Sequence, residues 1–190
     1  KWSPQDLEQY APEIAQLYST ASGTMTEVVD QSARDKCTTF NELVLRDEDT
    51  GGPIYTAPMH EEWHRLADTH DRVIIWSAPE LGKSSQLMVG RPVWLLGRDP
   101  TMRIVVLSNT HTQAEKVTRA QGELIIQSEE VHRIFPKLKP GRKWTDGQFE
   151  VDRPFVSKMP SVQAVGLGGA VIGARIDLLL IDDILDAENT

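Results

Sequence analysis

The sequence predicts an α/β fold in which a largely parallel central sheet is flanked by helices and preceded by a helical segment. Short apolar runs of strand length occur at residues 73–76, 103–107 and 177–183. Segments with apolar residues at helical spacing lie between these runs, and residues 112–127 show that spacing clearly. Polar residues end or follow each run, as they do at the carboxyl edge of a parallel sheet, where such folds bind ligands. Strands that alternate with helices pair in parallel, because each helix returns the chain to the same end of the sheet.

Residues 1–52 are predicted to form a helical segment with a linker, and residues 53–190 the main domain. Apolar side chains of the first segment fall at helical spacing, and a proline interrupts them. These residues are Leu7, Tyr10, Ile14 and Leu17, with Pro12 between them. The linker, residues 47–53, is polar and contains two adjacent glycines, which favour a turn.

Length and composition limit the possible functions. The 190 residues, of which 39% are hydrophobic, are enough to bury one sizeable core. Lys and Arg number 20 against 28 Asp and Glu, and this net charge of −8 is opposite to that of a stand-alone DNA-binding domain. The single cysteine, Cys37, cannot form an internal disulfide and favours a reducing, intracellular setting. No apolar run reaches the length of a membrane span and no signal peptide is recognisable, so we expect a soluble protein without membrane contacts.

A phosphate-binding loop is predicted at residues 72–85, RVIIWSAPELGKSS, where an apolar run enters a turn that delivers Gly-Lys-Ser to a helix. Backbone N–H groups of such a turn point at the anion, Lys83 adds a positive charge, and Ser84 can ligate Mg²⁺. The pattern G-x-x-x-x-G-K-[ST] is incomplete, because Ser77 replaces its first glycine. The Glu80 carboxylate would repel a triphosphate unless it points outward or meets a cation. The alternative is an ordinary strand, turn and helix.

A partner motif follows at residues 177–183, DLLLIDD, a short apolar run that ends in two acids. A buried parallel strand presents such carboxylates at its carboxyl end. Asp182 would then hold Mg²⁺, and Asp183 would orient or deprotonate an attacking water. The alternative is a core strand that ends in a solvated acidic turn. The two motifs in this order predict a site for ATP and Mg²⁺. Its predicted nucleotide-binding residues are Ser77, Ala78, Pro79, Glu80, Leu81, Gly82, Lys83, Ser84 and Ser85.

A competing hypothesis comes from the pattern H-E-x-x-H, which runs from His60 to His64, with His70 at the position of a third zinc ligand. On a helix His60 and His64 share a face, as zinc ligation requires. Ala67, however, replaces the glycine whose turn brings the third histidine to the metal, so a continuing helix carries His70 off that face. A surface helix with its apolar residues packed inward is the simpler interpretation.

One basic stretch, KLKPGRK at residues 137–143, stands out in this acidic chain. A solvated loop is the favoured interpretation, with a DNA or phosphate contact as the alternative. After it, residues 148–151 and 161–165 are predicted to form short paired strands. Residues 84–96 are predicted to form the helix that follows the phosphate-binding loop.

Four segments in series resemble the ATPase domain of terminase large subunits, the motors that package DNA into the heads of tailed phages. They read WSAPELGKS, RPVWLLGRDPTMRIVVLSNTHTQAEKVTR, EEVHRIFP and QAVGLGGAVIGARIDLLLIDDILDAE, and the resemblance covers residues 58–190. It implies a P-loop NTPase of the RecA-like additional-strand type that couples Mg-ATP hydrolysis to DNA translocation into the procapsid. Another P-loop ATPase, such as a helicase-like translocase, is the alternative, with a zinc-dependent hydrolase as a third.

The resemblance also implies roles for individual residues. Lys83 and Ser84 would bind phosphates and Mg²⁺, Asp182 would hold the metal, and Asp183 would be the catalytic acid. Arg175, in Gly-Ala-Arg-Ile where the family often has Gly-Arg-Gly, is the candidate arginine finger. Residues 108–110 would lie beside the nucleotide. Double-stranded DNA, the portal protein, the small terminase subunit and neighbouring copies in a ring are the implied partners. The implied location is the host-cell cytoplasm, docked on the procapsid, and a coupling motif and a nuclease domain are expected beyond residue 190.

Overall fold

The computed structural model describes residues 12–169 and 175–184, and in them helices cover a five-stranded sheet. The helices are α1 (Pro12–Asp35), α2 (Cys37–Val44), α3 (Pro58–Thr69), α4 (Arg91–Arg98), α5 (His111–Gln127) and α6 (Glu129–Ile134), and a π-helical segment (Ser84–Gly90) leads directly into α4. The strands are β1 (Ile104–Ser108), β2 (Pro140–Trp144), β3 (Gln148–Val151), β4 (Val162–Gly166) and β5 (Leu178–Ile181). The predicted α/β class is confirmed. None of the helices in these two ranges is both long and apolar enough to cross a membrane.

The sheet is mixed, with strand order β2-β3-β4-β1-β5. β1 pairs in parallel with β4 and β5, whereas β3 pairs antiparallel with both β2 and β4. The prediction of a largely parallel sheet is therefore wrong for the β2 and β3 side. The reason is that neither connection contains a crossover helix: residues 145–147 join β2 to β3 and residues 152–161 join β3 to β4, and such short connections favour antiparallel pairing. The basic stretch at 137–143, predicted as a loop, contributes the first residues of β2.

The predicted strand at residues 73–76 is absent from the sheet. These residues form neither helix nor strand, but Val73 and Ile75 are half-buried between exposed neighbours, which is the alternation typical of a strand. Within the described chain, however, no backbone hydrogen bond joins them to β5. Ile74 is 94% exposed and Trp76 is 95% exposed. The prediction was wrong because apolar composition favours a strand only where a partner strand completes the hydrogen-bond ladder.

The core lies between the sheet and the helices that cover it. Its most buried large side chains come from helices and strands alike, and each contributes roughly 1.5 to 3 kcal/mol through burial. They include Phe40, Val93, Leu96, Ile104, Val106, Ile125, Ile134, Phe149 and Val162. The free thiol of Cys37 is buried among them, and burial raises its pKa.

The N-terminal helices are tied to the rest of the chain by polar contacts as well as by the core. Arg133 Nε donates to Asp30 at 2.9 Å, and Arg34 Nε donates to the carbonyl oxygen of Ile134 at 2.7 Å. The division near residue 52 stays a prediction. Of the predicted helical residues, Leu7 and Tyr10 lie outside the described ranges.

An ion pair at the start of β1 and β5 fixes the register that places the site. Arg103 donates to Asp177 through Nε at 2.8 Å, through Nη2 at 2.7 Å and through its backbone N–H at 2.8 Å. Ile104 then stands opposite Leu178 along the parallel pair. β5 consequently delivers Asp182 to the carboxyl edge of the sheet, beside the end of β1.

Candidate functional site

The predicted phosphate-binding loop is a turn between residues 73–78, which form neither helix nor strand, and the π-helical segment. Two of its residues have left-handed backbone conformations, Glu80 with φ 64° and Gly82 with φ 73°. Glycine adopts this conformation without penalty, whereas a residue with a Cβ pays about 1 to 2 kcal/mol. The Glu80 side chain is exposed to solvent, together with those of Ala78 and Pro79.

The loop meets the end of β5 through two side-chain contacts. Lys83 Nζ lies 3.9 Å from Asp182 Oδ1, and Ser84 Oγ donates to Asp182 Oδ2 at 3.4 Å. The Asp182 side chain is only 13% exposed, whereas that of Lys83 is 35% exposed. The adjacent lysine and hydroxyl of residues 83 and 84 therefore meet, at one point of the sheet edge, a carboxylate that lies almost 100 residues further along the sequence.

The electrostatics of this point favour an additional cation. Burial raises the pKa of the Asp182 carboxyl above its ordinary value, and the negative charge of Asp183 raises it further. Lys83 and the hydroxyl of Ser84 oppose this shift without cancelling it. A bound divalent cation would stabilise the ionised carboxylate and lower that pKa, since an opposite charge nearby favours the charged form.

The oxygen atoms present fit Mg²⁺. This ion takes carboxylate and hydroxyl oxygens at about 2.0 to 2.1 Å in an octahedron, which puts neighbouring ligands about 3 Å apart. Ser84 Oγ and Asp182 Oδ2 are already 3.4 Å apart. A movement of a few tenths of an ångström would bring both atoms into one coordination shell.

Asp183 follows at the same edge, with an exposed side chain and a left-handed backbone, φ 44°. Its carbonyl oxygen accepts a hydrogen bond from the Asn109 N–H at 3.3 Å, and Asp182 N–H donates to the Leu107 carbonyl oxygen at 2.9 Å. Hydrogen bonding between the ends of β1 and β5 thus continues past the strands and fixes the backbone of both acids.

An open cavity of about 530 Å³ lies at the carboxyl ends of β1 and β4. Its walls include Asn109 and Thr110, two of the residues expected beside a nucleotide. Sequence reasoning missed His111 and Gln163, which also line it. The signal for His111 was its place directly after the polar end of β1, whereas Gln163 lies inside a strand, where no motif marks it.

Not every predicted residue joins this arrangement. The Arg175 side chain is exposed, and no hydrogen bond or ion pair links it to Lys83, Ser84 or Asp182. Gly173, which precedes it in the compared motif, lies outside the described residues. The hydroxyl of Ser77 is buried and has no hydrogen-bond partner in the described part of the chain.

The H-E-x-x-H histidines lie on the inner face of α3. His60 is 5% exposed and His64 is 4% exposed. The His60 ring accepts the Ala57 N–H at Nδ1, 3.0 Å away, and its Nε2 lies 2.8 Å from the Leu81 carbonyl oxygen. His64 Nδ1 lies 3.4 Å from Arg91 Nη1, whose positive charge opposes a metal ion there. His70 ends the helix on the exposed side, and among the described residues no three His, Cys, Asp or Glu side chains could hold a metal together.

Sequence reasoning also missed the contact between α3 and the predicted phosphate-binding loop. A histidine at helical spacing is typical of a packed or a metal-binding residue, and nothing in the pattern indicates which carbonyl group its ring will reach. The hydrogen bond between His60 and Leu81 depends on how α3 packs against the loop, which is a tertiary property.

Comparison with known proteins gives a distant similarity. No family model matches the chain. Over 92 residues it is 28% identical to the protein described as "Terminase, large subunit" from Enterobacteria phage T3. The match covers 48% of this chain and 15% of that relative, so the chain spans a small part of the relative's length.

Proposed function

We propose that the chain is the ATP-hydrolysing motor domain of a phage DNA-packaging terminase large subunit. The observation that carries this proposal is the convergence of Lys83 and Ser84 on Asp182. The similarity to the phage T3 protein supports the packaging role, and the P-loop pattern supports ATP hydrolysis. In this proposal hydrolysis drives double-stranded DNA into the procapsid.

In this proposal some residues of the site bind the nucleotide and the metal, and others act in hydrolysis. The loop amides and Lys83 would bind the phosphates, and the lysine would exchange its contact with Asp182 for the nucleotide. Ser84 and Asp182 would hold Mg²⁺, which neutralises charge on the β- and γ-phosphate oxygens when bound. Asp183 would orient the attacking water and accept its proton.

Arg175 is proposed as the arginine finger. Its exposed position suits a group that reaches the γ-phosphate of its own site or of a neighbouring copy in a ring. Such a residue acts on transition-state charge, so it changes turnover more than affinity.

The finer fold we propose is the RecA-like additional-strand type. Residues 73–76 have the alternation of a strand and lead into a loop that touches the end of β5. The outer edge of β5 has no partner strand in the described chain, and Leu179 and Ile181 are about half exposed. A further strand between β5 and residues 73–76 would complete both hydrogen-bond ladders. Protection of the β5 amides from hydrogen exchange in the assembled motor would test this.

The remaining partners are part of the same proposal. A packaging motor contacts duplex DNA, the portal protein and the small terminase subunit, and acts as a ring on the procapsid in the host cytoplasm. ATPase activity that rises with procapsids or portal protein supports packaging. Stimulation by single-stranded DNA together with strand separation would instead indicate a helicase-like translocase.

Calorimetry with a slowly hydrolysed ATP analogue tests the nucleotide site. Wild type should bind the analogue with Mg²⁺ and lose most affinity without it, because Lys83 and the loop amides neutralise only part of the triphosphate charge. Lys83→Ala should abolish binding, whereas Lys116→Ala, which removes an exposed lysine from α5, should leave it unchanged. Equal binding by wild type and Lys83→Ala would reject this site.

A further inference from the structure

Helix α3 holds the phosphate-binding loop through one buried side chain. His60 Nε2 lies 2.8 Å from the carbonyl oxygen of Leu81, in the middle of the turn. The His60 ring also packs against Trp63, with ring centroids 5.0 Å apart. Because the ring is almost fully buried, water cannot readily replace this hydrogen bond.

The hydrogen bonds of His60 define its protonation state. The Ala57 N–H is a donor and lies 3.0 Å from Nδ1, so Nδ1 must be the unprotonated acceptor. A carbonyl oxygen can only accept, so Nε2 must carry the proton that it donates to Leu81. Both contacts are satisfied together only by the neutral imidazole with its proton on Nε2.

The loop needs an external contact of this kind. Leu81 lies between Glu80 and Gly82, both of which have left-handed backbones. The left-handed conformation is unfavourable for Glu80, and a residue keeps such a conformation only where the surrounding structure fixes it. The Leu81 carbonyl is therefore the point at which one hydrogen bond can hold the whole turn.

A second set of contacts fixes the π-helical segment that follows the loop. Asn41 Nδ2 donates to Gln86 Oε1 at 2.6 Å, and His64 Nε2 lies 3.3 Å from the same oxygen. Gly90 allows this approach, because a Cβ there would overlap the Asn41 amide. α2 and α3 together thus anchor the π-helical segment, while His60 anchors the turn that precedes it.

We propose that His60 is a positioning residue for nucleotide binding, which holds the phosphate-binding loop in its turn conformation through its Nε2–H bond to Leu81. The inference rests on the proposed nucleotide site and gives the first histidine of the H-E-x-x-H pattern a role other than zinc ligation. A loop that is already ordered does not have to be ordered by the nucleotide, so its affinity for Mg-ATP is higher. Without this contact, the turn must become ordered when the nucleotide binds, and this entropy cost lowers the affinity.

Two matched variants separate this role from a purely structural one. In His60→Gln the side-chain amide retains an acceptor for Ala57 and a donor with the reach of Nε2. In His60→Asn the shorter amide can still accept the Ala57 N–H at the start of α3, but it cannot reach Leu81. Both variants remove the imidazole and its packing on Trp63, and they differ in the contact with the loop.

The measurements are Mg-ATP-analogue affinity by calorimetry and the thermal unfolding midpoint without nucleotide. We expect His60→Asn to bind about tenfold more weakly than wild type, the loss that corresponds to one hydrogen bond. His60→Gln should remain within about threefold of wild type, because it preserves that bond. The two variants should unfold at temperatures similar to each other, because both lose the ring and its packing on Trp63. If the role of His60 were merely structural, the two folded variants would bind the analogue with equal affinity.

A measurement on the wild type does not depend on the folding of any variant. Long-range ¹H–¹⁵N spectra of the ¹⁵N-labelled chain should show the neutral Nε2–H tautomer for His60, with its proton protected from solvent exchange. The Nδ1–H tautomer, or equal affinity of the Asn and Gln variants, would overturn the proposal. If wild type itself fails to bind the analogue, the nucleotide site is wrong. If binding depends on Lys83 but not on the reach of residue 60, only the inference about His60 fails.

Discussion

Acidification should destabilise the fold through His64, which is buried in a neutral state. Its Nδ1 lies 3.4 Å from Arg91 Nη1 and its Nε2 lies 3.3 Å from Gln86 Oε1. The pKa of this imidazole is lowered from 6.5 to about 4, mainly by burial; the Gln86 hydrogen bond and Asp68 oppose the shift, and the Arg91 charge adds to it. The folded protein therefore resists a proton that the unfolded chain accepts.

The pKa values of His64 in the unfolded chain, 6.5, and in the folded protein, about 4, determine the direction and size of the change in stability. Above pH 6.5 the imidazole is neutral in both states and stability is unaffected. Between 6.5 and about 4 the unfolded chain binds the proton first, so stability falls as the pH falls. At pH 5 the loss should be about 2 kcal/mol, and the limit below pH 4 is about 3.4 kcal/mol, at about 1.36 kcal/mol per pH unit between the two values.

Urea unfolding at pH 7.5 and pH 5.0 provides the assay. His64→Gln cannot titrate, and all other titrating groups remain in both proteins, so their contributions largely cancel in the comparison. Wild type should lose about 2 kcal/mol more than the variant between the two pH values. Parallel losses in the two proteins would refute the reasoning and show that His64 is hydrated or already protonated in the folded state.

The remaining predictions concern turnover and the register of β5. Asp183→Asn should bind the ATP analogue like wild type but hydrolyse ATP at least about 100-fold more slowly, because the proposed metal ligand Asp182 remains while the proposed base is removed. Steady-state turnover and calorimetry on the same preparation check this, and a wild-type rate would assign the water to another acid. Arg175→Ala should lower turnover with nearly unchanged affinity, by roughly 10³-fold or more if it is the finger. Mixing it with Lys83→Ala should restore activity if the finger acts between copies, whereas a mixture without rescue would place it within one chain or outside the site. Asp177→Ala should cost about 1 kcal/mol in urea unfolding at neutral pH, since its ion pair with Arg103 is partly exposed and screened. The Arg103 hydrogen bond lowers the Asp177 pKa, so this difference should disappear as the pH falls below 3.8, and a persistent difference would mean that packing is responsible.

The sequence predicted those elements that depend on local pattern. β1, β5 and α5 have strong periodicity or apolar runs, and the structure places them within a residue or two of the predictions. The rule that parallel strands present polar groups at one edge also brought Lys83 and Asp182 to the same place. The roles of these residues in catalysis stay predictions.

The sequence-based predictions that failed depend on contacts between segments that are distant in the sequence. Residues 73–76 have a strand's composition but no described partner, and β2 has a loop's composition but gains a partner from the turn that follows it. The contact between His60 and Leu81 is of the same kind, because it depends on where a helix packs and not on what precedes it in sequence. Single-residue patterns do not contain that information.

The buried thiol of Cys37 can report local opening of the fold through its rate of chemical labelling. It lies at the start of α2, only 4% exposed, in the same helix as Asn41. A thiol-specific reagent cannot reach it unless α2 separates from its neighbours, so the labelling rate equals the rate with a free thiol multiplied by the fraction of time spent open. Because the chain has one cysteine, the signal comes from a single position. Labelling with and without nucleotide would report whether nucleotide binding at the proposed phosphate-binding loop changes how often α2 opens.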